Sequence, residues 1–181
     1  GRVEELHRGP GAGVEAFLAA PSEQSQIAAR ETFYVCYQAW ISAEFYQQQP
    51  FDLAEQKALK IRLDLIDTRP FLPGYIDGIP EYPYSGLVHE MDMPITAANL
   101  RSQHRLMDED SASVGFPAIE FFLWKIPVAT QWLKGSASDV VERRHTYLQI
   151  VSSELINQLT QSIMRWQPNT EFSLLPERAQ L

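Results

Sequence analysis

The sequence predicts an all-α protein: an up-and-down helical bundle of about four to six helices, interrupted by one long proline-rich connection. Three observations carry that reading. Apolar residues recur at steps of three, four and seven over windows much longer than a strand. Sustained strict alternation of apolar and polar residues with turn signals is absent, so a sheet is not expected. Five of the twelve prolines fall between Pro70 and Pro94, together with Gly74, Gly78 and Gly86.

The first predicted helix runs from Ser22 to Gln48. Ile27, Tyr34, Tyr37, Ile41 and Phe45 form one stripe along it, and Phe33 and Trp40 a second beside it. Two stripes make a helix apolar over much of its circumference, which places it centrally. Pro50 ends it. Asp52-x-x-Glu55 resembles a capping box and opens the second helix, whose inner face is Leu59, Leu63 and Ile66. Pro70 stops that helix. From Arg69 to Asp92 the prolines exclude a long helix, because each removes a donor and clashes with the preceding turn. This stretch reads as an ordered connection, with Tyr75, Tyr82 and Tyr84 expected to pack on the bundle.

A third helix is expected from about Pro94 to Met107, followed by the acidic patch Asp108-Glu109-Asp110. A fourth begins near Gly115 with Pro117 in its first turn, where proline is tolerated, and Pro127 breaks it. The last begins at Ser136-x-x-Asp139. Its inner face is Val141, Leu148, Val151, Leu155, Leu159, Ile163 and Trp166. Thirty helical residues would span about 45 Å, a length that suits a bundle. Residues 1–167 therefore form the bundle, and 168–181, after Pro168, a tail or linker.

Composition narrows the function. The chain has 181 residues, 45% of them apolar, so a sizeable core is within reach. Fifteen basic against 23 acidic residues give a formal charge of −8, which makes nucleic acid and anionic membrane surfaces poor partners. The single cysteine, Cys36, excludes an intramolecular disulfide and reads as an inert core thiol. The most apolar window, Val114 to Thr130, carries Glu120, Lys125 and two prolines, and falls short of the roughly 20 apolar residues of a membrane span.

Common catalytic signatures fail. His89-Glu90 is followed by Met93 where a second zinc histidine would stand. There is no Gly-x-Ser-x-Gly elbow and no P-loop. Asp108, Glu109 and Asp110 are either a solvated loop or oxygen ligands for a hard cation such as calcium. Glu120 stands out. It is a carboxylate within Gly115-Phe116-Pro117-Ala118-Ile119-Glu120-Phe121-Phe122-Leu123-Trp124. A buried carboxylate needs a cation, a donor or a raised pKa. It is either a site residue or a structural acid paired with an arginine such as Arg144.

This segment resembles the imelysin family of bacterial envelope proteins, which includes peptidase-like members and iron-uptake lipoproteins. The family hallmark is Gly-x-His-x-x-Glu, followed by an aromatic residue and leucines. Gly115, Glu120 and Phe121-Phe122-Leu123 match it. Ile27 to Phe45, with Arg30, Trp40 and Glu44, resembles the family's first helix. Leu65-Ile66-Asp67-Thr68-Arg69-Pro70, continuing to Tyr75-Ile76-Asp77, resembles a second segment, and Arg144-x-x-Tyr147-Leu148 through Trp166 the long helix that closes the first half. The similarity is strongest over 14–167.

Two departures shape what the resemblance implies. Pro117 replaces the motif histidine, and proline offers no side-chain ligand. Family members carry two related bundles, and this chain matches the first. The resemblance therefore implies an envelope binding protein of the periplasm or outer surface, associated with iron or other metal uptake and without peptidase activity of its own. Any lipid anchor would lie upstream. Glu120 is the surviving site residue and a candidate ligand for iron, zinc or calcium. Glu44, Asp67, Arg69 and Arg144 are candidates to surround it. A second imelysin-like half, or a copy of the chain, is the expected partner. Two alternatives stand: a metal-dependent peptidase in which His89 or His104 replaces the lost imidazole, and a structural interaction module whose site has decayed.

Overall fold

The computed structural model describes residues 10–47, 53–128, 132 and 139–164, with the side chains of 44–47 and 55 outside that description. Among the described residues the chain is mainly helical and has no strand. A single antiparallel bridge, Ile79 to Tyr82, is the only β-type pairing in that part of the chain. The helices are α1 Gly11–Ala19, α2 Glu23–Gln47, α3 Leu53–Ile66, α4 Pro73–Ile76, α5 Ala97–Gln103, α6 Gly115–Lys125 and α7 Asp139–Met164. A 3-10 turn, Leu87–His89, lies between α4 and α5.

The central element is α7. It touches α1, α3, α5, α6 and the 3-10 turn, whereas α2 packs on α1 and α6. The inner face of α7 is the predicted one, with Val141, Leu148, Val151, Leu155 and Leu159 buried. Its 26 residues span about 39 Å. Trp166, the Ser136 cap, the Asp52 cap and the proposed tail 168–181 lie outside the described residues.

The stripe assignment on α2 is corrected. Ile27, Tyr34 and Ile41 face outward, and the helix buries Ala29, Phe33, Cys36, Ala39 and Trp40 instead. Both stripes are apolar, so periodicity alone could not rank them. Phe33 wins because it meets Phe116 edge-on, with ring centroids 5.6 Å apart, and stacks on Tyr37. A second aromatic nest joins Phe17, Phe122, Trp132 and Tyr147.

Helix ends follow local chemistry. Thr96 caps α5 by accepting from the Asn99 amide at 3.1 Å. That helix is shorter than expected, because His104 is extended and Arg105 takes φ 58°. α6 stops at Lys125, just before the residue that precedes Pro127. Its last carbonyls are met by α2: Arg30 Nε donates to Leu123 O at 2.7 Å and Gln26 Nε2 to Ile126 O at 3.0 Å. The short α1 was not foreseen. Val14 and Phe17 give it one buried turn, too brief a pattern to stand out between Gly11, Gly13 and Pro21.

The long connection is ordered, as expected, and Arg143 on α7 organises it. Its guanidinium donates to the carbonyls of Val88, Met93, Leu87 and Glu90 at 2.6, 3.0, 2.9 and 2.8 Å. Burial lowers its pKa, against a smaller opposing effect of Glu90. Tyr75 packs, donating to Gln103 O at 2.7 Å. Tyr82 and Tyr84 do not bury against the bundle: they are 68% and 84% exposed, and Tyr84 meets the His89 ring edge-on at 6.1 Å.

Candidate functional site

Gly115 opens α6 at φ +81°, a conformation that side chains disfavour. A Cβ there would strike the carbonyl oxygens of Ile66 and Leu65. The motif glycine therefore seats the start of α6 directly on the end of α3. Pro117 is buried in the first turn, where its missing amide has no helical acceptor to satisfy. One turn later, Glu120 emerges beside the chain that leaves α3.

There Glu120 meets Arg69. The Nη2 of Arg69 donates to Glu120 Oε2 at 2.5 Å, and its Nε to Asp67 Oδ1 at 2.9 Å. Asp67 Oδ2 accepts from the Tyr37 hydroxyl at 3.2 Å, and the guanidinium lies over the Tyr37 ring at 5.2 Å. Burial pulls the Arg69 pKa down. The bond to Glu120 and the charges of Asp67 and Glu120 outweigh it and leave it above the ordinary value. Arg69 and Glu120 are 35% and 37% exposed, Asp67 only 13%. The expected burial of Glu120 is thus corrected: it sits at the surface, and its cation is Arg69.

Arg144 is elsewhere, which corrects its expected place around Glu120. It grips Asp77 through Nε to Oδ2 at 2.5 Å and Nη2 to Oδ1 at 3.1 Å. Asp77, fully buried, also accepts from the Gly78 amide at 2.7 Å and from His89 Nε2 at 3.0 Å. An ionised carboxylate only accepts, so His89 carries its proton on Nε2. Gly86, at φ +86°, leaves no room for a Cβ against the backbone of Ile76 and Asp77.

His104 is committed too. Its Nδ1 accepts from the Ser113 amide at 3.3 Å, so Nε2 carries the proton and donates to Asp64 O at 2.9 Å. Desolvation lowers its pKa. Of the predicted site residues, the structure joins Glu120, Asp67 and Arg69. It separates Arg144 from them, and the Glu44 side chain lies outside the described residues. Tyr37 was missed as a site residue, because its helical register reads equally well as core.

The donor set does not fit a resident metal ion. Among the described residues no three His, Cys, Asp or Glu side chains gather closely enough to hold one, and the cation at Glu120 is a guanidinium. Arg69 also lines an open cleft of about 760 Å³ between the end of α3 and the turn at 105–110.

An all-α bundle with a surface guanidinium–carboxylate pair behind a buried glycine turn is the architecture in hand. The family model described as Imelysin matches residues 10–180. The chain therefore belongs to the imelysin family. No curated protein matches it. Among the described residues no helix is long and apolar enough to cross a membrane.

Proposed function

We propose that this chain is an imelysin-like envelope binding protein of the periplasm or outer surface, associated with iron or other metal uptake and without peptidase activity of its own. In this reading the metal is cargo and not a resident cofactor. A second imelysin-like half, or a second copy, would complete the site, and a lipid upstream would supply any anchor. The observation that carries the reading is the Arg69–Glu120 pair. Acid–base or metal-assisted hydrolysis needs a carboxylate free to take a proton or a metal. A recognition surface needs charges held in a fixed pattern, and Asp67 and Tyr37 fix this one. The absence of an imidazole at position 117, with His89 and His104 committed to other partners, argues the same way.

The test joins two measurements. The purified chain is incubated with fluorescent casein, and its metal content is read after dialysis against iron, zinc and calcium salts. The expected result is no cleavage above buffer. Cleavage that disappears in Glu120→Ala would overturn the reading in favour of the metal-dependent peptidase, whereas a stoichiometric metal held without cleavage would identify the cargo.

The pair itself favours one other reading, a structural module with a decayed site. Pairs this exposed contribute about 0–1 kcal/mol. Glu120→Ala should therefore lower stability by less than about 1 kcal/mol in urea unfolding. A clearly larger loss would mean that the pair exists to hold α6 to α3.

A further inference from the structure

The turn that joins α5 to α6 is held by polar contacts and not by a core. Leu106 and Met107, its large apolar residues, are 59% and 72% exposed. Arg105, at its start, takes φ 58°, the left-handed region that side chains disfavour. Among the described residues no other side-chain-bearing residue does so. Hydrogen bonds have to hold that conformation. The Arg105 amide donates to Ser111 O at 2.8 Å, and the Leu72 amide ties Asp110 O to the connection at 2.8 Å. His104 closes the base of the turn. Its Nδ1 accepts from the buried Ser113 amide at 3.3 Å, and Nε2 meets Asp64 O at 2.9 Å and Thr68 Oγ1 at 3.1 Å at the end of α3.

We propose that His104 is a proton-operated latch that releases the turn 105–112 from the end of α3. A proton taken from solvent at Nδ1 converts that nitrogen from acceptor to donor, so it faces the Ser113 N–H donor to donor. The buried amide then has no acceptor, which is costly. Opening the turn lets water reach both groups and frees Arg105 from its left-handed conformation. Ser113 itself stays anchored, because its carbonyl accepts from the Tyr147 hydroxyl at 2.8 Å and its Oγ donates to Leu100 O at 2.7 Å. The release is thus confined to the turn, and α6 keeps its start.

The groups that face the ring are few. Burial above all holds its protonation below the ordinary 6.5; Asp64 opposes this through its carbonyl and its charge, and the Arg105 charge adds to it. Asp64 and Arg105 also pair with each other at 2.7 Å. Tyr75 of α4 and Tyr147 of α7 donate to the carbonyls of Gln103 and Ser113, and burial holds both above the ordinary tyrosine value, so they stay neutral. The turn forms one wall of the cleft beside Arg69, so its release widens that cleft and leaves the Glu120 pair in place. The latch belongs to the fold and stands whether or not the Glu120 site binds cargo.

Amide hydrogen exchange of the whole chain, corrected for its intrinsic pH dependence, tests the latch from about pH 7 to about pH 4.5. Protection of the Arg105 and Ser113 amides should fall by up to about tenfold per pH unit, with a midpoint that matches the His104 titration read from its ring nitrogen shifts. Local opening exposes little surface, so exchange in the turn should ignore urea below the unfolding midpoint, whereas amides of α7 from Leu148 to Leu155 should respond to it. His104→Asn keeps an acceptor near the Nδ1 position and does not titrate, so its turn should stay protected at every pH. Three results would each overturn the proposal. Unchanged protection across the His104 titration means that no latch exists. Turn amides that follow the urea response of α7 mean that His104 contributes only to global stability. A loss that persists in His104→Asn assigns the effect to the turn's carboxylates. If that variant fails to fold, the match of midpoints in the unaltered chain decides alone.

Discussion

At the scale of single residues, Gly115 is the part of the motif whose reason is plainest. It is needed for its backbone, since φ +81° and the carbonyls of Ile66 and Leu65 leave no place for a side chain. Gly115→Ala should destabilise by about 2 kcal/mol or more, combining left-handed strain with a forced shift of α6 off α3. In a chain of this size each kcal/mol lowers Tm by about 2–4 °C. A thermal scan that shows no loss would refute this account of the glycine. Cys36 gives a second prediction. Burial pushes its thiol up to about 12, so it should resist alkylation at pH 8 in the folded protein and react once urea unfolds it.

His104 adds a pH dependence whose sign follows from its burial. Its folded pKa lies below the ordinary 6.5, so the unfolded chain binds a proton first as pH falls. The stability it contributes is present above about pH 6.5 and is lost as pH drops through the folded value. Urea midpoints should therefore fall from pH 7 to pH 5, and the fall should be smaller in His104→Asn. Equal slopes in the two proteins would contradict this assignment.

Among the elements, the Asp77–Arg144 pair deserves the larger energies. It joins the connection to α7, and both groups are buried. Removing one partner leaves a buried charge, so Asp77→Asn or Arg144→Met alone should cost about 3–5 kcal/mol. The double variant should cost less than the sum of the singles. Strict additivity in chemical unfolding would show that the pair is not coupled. Sequence reasoning placed Arg144 near the site but gave it Glu120 as a partner. Asp77 and Glu120 are both carboxylates near glycine turns, and only the path of the connection decides which one faces α7. The same limit explains α2, where two apolar stripes looked alike until α6 supplied Phe116 to one of them.

Across the whole molecule, the fold class and most helix bounds were legible because they rest on local chemistry. α6 stopped just before Pro127, and the predicted face of α7 was buried from Val141 to Leu159. The motif spacing from Gly115 to Glu120 was legible for the same reason, since six residues of one helix start carry it. What the sequence could not determine was any choice between chemically equivalent partners. That Arg69 rather than Arg144 neutralises Glu120, that Tyr37 joins the site, and that a charged cleft opens behind Arg69 depend on contacts between segments far apart in the chain. Such contacts are set by how α3, α6 and α7 pack, because a helix end can present a charge but cannot by itself choose which distant residue will meet it.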